Sequence, residues 1–158
     1  MLLAKRALGY AIDESSVDWA VSLLVAGYDT PSLRILAGMS APFDVFEMNA
    51  LADRVVAELG LHPFTDPKEA AHALTTVLCQ QLLAGTAPID DVLRQIKNVS
   101  VDLNLEPELG DFSLLYWARS DLIDDEIQWY WDGATRENID EIVRDRCRKW
   151  LADHRGSA

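Results

Sequence analysis

The chain is short of cysteine, histidine and basic charge, and each shortage removes a class of function. Its two cysteines, Cys79 and Cys147, stand far apart in apolar helical patterns. They read as buried free thiols rather than as a redox pair or half of a zinc site. Fourteen Lys and Arg face 26 Asp and Glu, for a net charge of −12. A field of that sign repels nucleic-acid backbones and anionic membrane surfaces. No apolar run approaches the roughly eighteen residues of a membrane span. Lys5 and Arg6 follow the apolar Met1, Leu2 and Leu3, the reverse of a secretory leader, so the expected location is the cytoplasm. The eight glycines stand singly, and there is no Gly-x-Gly-x-x-Gly turn, Walker loop or Gly-x-Ser-x-Gly elbow. A nucleophile from Ser40 or Cys79 has no histidine at a supporting spacing. No catalytic residue, cofactor or metal is assigned from motifs.

What is present is a helical grammar. At 158 residues and 49% hydrophobic, one domain can remove about 70% of its unfolded surface from water. Around Gly27 and Pro31, Gly38 and Pro42, and Gly85 and Pro88, a glycine stands where a helix should stop and a proline where the next should start. Met48, Leu51, Ala52, Val55, Val56 and Leu59 form one apolar helical stripe. Asp66 and Pro67 open a second, with Ala70, Ala71, Leu74, Val77, Leu78 and Leu82 inward. Thr135 is the expected cap of a third, which buries Ile139, Ile142, Val143, Cys147, Trp150 and Leu151. The predicted fold is a single all-α domain of six to eight helices, with 43–59, 67–84 and 136–152 supplying most of the core.

Shorter helices are expected over 2–12, 17–27 and 31–38, with Ser15 or Ser16 capping the second. The 99–110 stretch alternates Val99, Val101, Leu103 and Leu105 with polar residues, then meets Pro107 and Gly110. It reads as a crossover or short extended segment. Two short helices, 111–119 and 122–132, are expected next. Alternation of Ile127, Trp129 and Trp131 leaves helix or strand open for the end of that stretch.

Two constellations could carry chemistry. Glu69 and His72 lie one turn apart, the arrangement used by carboxylate-bridged metal sites in bundles, but such sites need it twice. His62 and His154 fall in an expected loop and tail. Asp121, Asp124, Asp125 and Glu126 form the densest acidic cluster, without the offsets of a calcium loop. They read as a solvated helix start.

The strongest feature is the 106–141 segment. It holds eleven carboxylates against Arg119 and Arg136, an excess of nine negative charges, together with Tyr116, Trp117, Trp129, Tyr130 and Trp131. Adjacent ring positions on a helix point about a hundred degrees apart. On a helix one member of each group is therefore expected in the core and another outside, on a strand Trp129 and Trp131 would share a face, and either way at least one large ring among the carboxylates is expected to be partly exposed.

The 27–38 and 133–142 blocks, Gly-Tyr-Asp-Thr-Pro-Ser-Leu-Arg-Ile-Leu-Ala-Gly and Gly-Ala-Thr-Arg-Glu-Asn-Ile-Asp-Glu-Ile, resemble small bacterial helical proteins of unassigned activity. They cover under a sixth of the chain. The resemblance implies a compact helical fold and supplies no catalytic residue or cofactor. In size and acidity the chain is also similar to immunity proteins that neutralise basic bacterial toxins.

The leading functional expectation is a non-enzymatic protein that docks a basic protein partner. Asp121, Asp124, Asp125 and Glu126 would steer it, and Trp129 or Trp131 would anchor it. Two other readings stand beside it. One is a helical enzyme or metal-binding protein using carboxylates of 106–141 with His72. The other is a homodimer joining this face to the basic 144–149 patch of a second copy.

Overall fold

Caps and apolar periodicity give eight α-helices and one 3-10 turn in a computed structural model that describes residues 1–125 and 127–154, with no strand among them. The chain divides into two compact units, 1–70 and 71–158. The all-α expectation holds.

The first unit contains α1 (Leu2–Ala7), α2 (Glu14–Val25), α3 (Pro31–Ala37) and α4 (Val45–Glu58), with α3 packed on both α2 and α4. Leu2, Ile12, Ala20, Leu33, Leu36, Met48, Leu51, Ala52 and Val55 form its buried core. Arg6 ties α1 to α4 through Asn49 (3.0 Å) and Asp53 (2.5 Å). Neither Ser15 nor Ser16 caps α2. That cap is Asp13, whose carboxylate accepts from the Ser15 N–H. Asp at this position reaches the second helical N–H without losing the extended backbone that the cap requires.

Helix α5 (Pro67–Leu83) starts in this unit and continues in the second, with Asp66 accepting from the Lys68 N–H at 2.8 Å. The second unit adds α6 (Ile89–Asp102), a 3-10 turn (Pro107–Leu109), α7 (Gly110–Asp124) and α8 (Ile139–Asp153). α7 packs against both α6 and α8. No helix is long and apolar enough to cross a membrane among the described residues.

Four expectations in this unit need correction. The 99–110 stretch is not extended at its start, because α6 runs through Val99 and Val101. Its true period joins Ile89, Val92, Leu93, Ile96, Val99 and Ser100 on one buried face, and Val101 and Leu105 are exposed. The helices expected over 111–119 and 122–132 are instead one helix ending at Asp124. No breaker lies between Arg119 and Leu122, and Asp125 turns extended with φ −128°. The 127–133 stretch is neither helix nor strand. Finally, α8 begins at Ile139 rather than 136, with Thr135 in the preceding turn, where its carbonyl accepts from Asn138 and Ile139.

Candidate functional site

Two places in the second unit gather chemistry. The first is the end of α7 and the loop after it. Leu122 and Ala118 point inward, while Asp124, Asp125, Ile127, Trp129 and Tyr130 are exposed. Asp121, Asp125, Ile127 and Trp129 line one open cavity of about 700 Å³. Glu126 lies outside the described residues.

The loop is held by Gln128 and Arg136, with Asn138 donating to the Gly133 carbonyl at 3.0 Å. Gln128 accepts from the Tyr130 and Trp131 N–H groups, both at 2.8 Å, and donates to the carbonyls of Trp131 (2.6 Å) and Ala134 (3.3 Å). Arg136 donates to the carbonyls of Leu122 (2.7 Å), Asp125 (3.2 Å) and Ile123 (3.4 Å). A cation on the last carbonyls satisfies the orphan acceptors of a helix end and complements its dipole. Trp129 is thus presented by a braced loop and is 87% exposed.

The expectation that one ring of each group enters the core fails, whereas the expectation that at least one large ring among the carboxylates is exposed is met. Trp117, Trp129 and Tyr130 are exposed, and Tyr116 and Trp131 are only half-buried. Trp129, Tyr130 and Trp131 lie in the loop after α7, so the helical argument does not apply to three of the five. The core takes Trp150 and Phe112 instead. Trp117 links the helix to the loop, in ring contact with Tyr116 at 5.0 Å and Tyr130 at 6.5 Å.

The acidic cluster sits at the C-terminal end of α7, not at a helix start. Carboxylates there oppose the helix dipole. Some charges elsewhere in the segment and on α8 are matched. Arg119 pairs with Asp90 and with Asp140 (2.8 Å), Arg146 with Asp111 (2.8 Å), Arg144 with Glu141 (3.6 Å), and Arg148 with Glu141 (2.7 Å) and Asp145 (2.5 Å). Asp121, Asp124 and Asp125 have no Lys or Arg in an ion pair among the described residues.

The second place is where α5, the 3-10 turn and the end of α8 meet. The Nε2 atoms of His72 and His154 lie 3.9 and 3.6 Å from Glu108 Oε2. Trp150 supports both rings, stacked on His154 at 3.8 Å and edge-on to His72 at 5.2 Å. Its indole N–H donates to Thr76 Oγ1 (3.1 Å), and that hydroxyl donates to the His72 carbonyl (2.9 Å). Sequence reasoning set His154 aside as tail. Its spacing of four from Trp150, a core position of the same helix, was the signal that could have found it. Glu69 is not part of this group, whereas Glu108, from the 106–141 segment, is.

The cysteines face each other. Cys79 and Cys147 are both buried and free, and their hydrogen bond, with burial second, pushes the Cys79 thiol far above its ordinary value. A thiol held protonated is a poor nucleophile. Comparison with protein families, with curated proteins and with solved structures gave no match.

Proposed function

We propose that the protein is a non-enzymatic interaction protein whose acidic aromatic face docks a basic protein partner. The observation that carries this reading is the conjunction at one cavity of unpaired Asp121 and Asp125 with the exposed ring of Trp129. Tryptophan is prominent among binding hot spots, and a surrounding field of one sign raises association rates. Net charge alone would not select this face. Three carboxylates left unpaired at the adverse end of a helix are a cost that folding does not explain.

The basic arginines of α8 are engaged with acids of the same chain. That argues for a separate basic partner over a second copy of this chain.

The test places a photo-cross-linking amino acid at position 129, identifies the protein captured in cells, and rebinds it in purified form. A basic protein whose binding is lost in both Trp129→Ala and the double variant Asp124→Lys, Asp125→Lys is the expected result. A captured protein that binds both variants as tightly as the wild type overturns the reading.

A further inference from the structure

We propose that His72, Glu108 and His154 form a binding site for a divalent transition-metal ion, zinc foremost, with one coordination position open to solvent. The three ligand atoms all lie within 4.8 Å of one another. With His to Glu distances of 3.9 and 3.6 Å, a point equidistant from the three lies within about 2.4 Å of each. Zinc bonds to imidazole nitrogen and carboxylate oxygen are about 2.0–2.2 Å. A closing movement of a few tenths of an ångström brings all three into bonding range, and a tetrahedral arrangement draws the two imidazole nitrogens together by up to about 1.5 Å more.

A second, independent observation concerns the outer face of a ligand. His154 Nδ1 lies 3.0 Å from the Trp150 carbonyl. With the proton on Nδ1 donating to that oxygen, Nε2 carries a free lone pair aimed at Glu108. Metal-binding histidines are oriented in this way. The rings are further fixed against Trp150, His154 stacked and His72 edge-on, and they stand 84° apart at 5.3 Å. Arg146 donates to the Glu108 carbonyl at 3.4 Å and pairs with Asp111, which anchors the turn carrying the third ligand.

Two nitrogens and one carboxylate oxygen suit zinc and its neighbours, whereas calcium and magnesium call for oxygen donors. The imidazole side chains are 19% exposed and Glu108 is 47% exposed. The ion would be reached from the glutamate side, where water completes a tetrahedron. The site is separate from the acidic aromatic face and does not depend on a protein partner.

The test uses the full chain after treatment with a chelator, titrated with zinc by calorimetry and with cobalt by absorption. The expected result is one ion per chain at micromolar affinity or tighter, with a cobalt spectrum free of thiolate bands. Glu108→Gln and His154→Gln should each weaken binding by about tenfold or more, while Glu69→Gln binds as the wild type. Because Glu108 is half-exposed, its variant should keep the wild-type circular dichroism, and zinc should raise the thermal midpoint of the wild type but not of this variant. Failure of the wild type to hold a stoichiometric ion, or wild-type affinity in either ligand variant, overturns the assignment.

Discussion

Asp13 does two jobs at one position. It caps α2, and it accepts from the Lys5 ammonium at 2.8 and 2.9 Å, where the lysine side chain is only 7% exposed. Burial opposes ionisation of Asp13, but hydrogen bonds from Lys5 and Ser15 and the lysine charge outweigh it and hold the carboxyl below its ordinary value. The sign of the linkage follows. The stabilisation is complete above the unfolded value of about 3.9 and is lost as pH falls through the lower folded value. Asp13→Asn should cost about 1–2 kcal/mol at neutral pH and flatten the acid limb of stability, as read by urea unfolding across pH. At Asp124 and Asp125 the opposite holds. Replacing both with lysine should raise stability by a few tenths of a kcal/mol to about 1 kcal/mol, because the helix dipole favours cations there. A fall in stability would contradict the view that these carboxylates are kept for binding. At this scale the sequence was legible where local chemistry decides, as for Asp66. It was not legible where distant segments meet, because nothing near His72 points to His154 or Glu108.

Elements were legible wherever their period was unbroken. α4 and α5 lie within a few residues of their expected limits. α6 was legible only as a start at Pro88, and the alternation after Val99 hid the helical stripe that runs from Ile89 to Ser100. The loop at 127–133 was misread because its order comes from Gln128 and Arg136 bonding backbone groups, and this leaves no period. The three glycine corners also differ. Gly27 and Gly85 are left-handed, with φ of 92° and 72°, whereas Gly38 has φ −94°. Gly85→Ala should therefore cost about 1–2 kcal/mol. Gly38→Ala should be neutral or slightly stabilising, since an added Cβ there meets the carbonyls of Arg34 and Ile35 at 3.5 and 3.6 Å, ordinary contact distances. Parallel thermal melts of the two variants decide this.

For the whole molecule, charge is the property that connects sequence to purpose. The excess of acid and its concentration in 106–141 were plain in the sequence, but its pairing was not. Pairing consumes Asp90, Asp111, Asp140 and Glu141 in contacts with arginines, whereas Asp121 and Asp125, which share a cavity with Trp129, have no such partner among the described residues. A −12 chain with three unpaired carboxylates at a braced aromatic loop should attract a basic partner from a distance and hold it by the ring. The most direct measurement is the association rate of the purified partner by stopped flow at several salt concentrations, for the wild type and for Asp124→Lys, Asp125→Lys. The account predicts a wild-type rate that falls steeply with salt, and a variant about tenfold or more slower at low salt with a nearly flat dependence. Equal rates with equal salt slopes would contradict it.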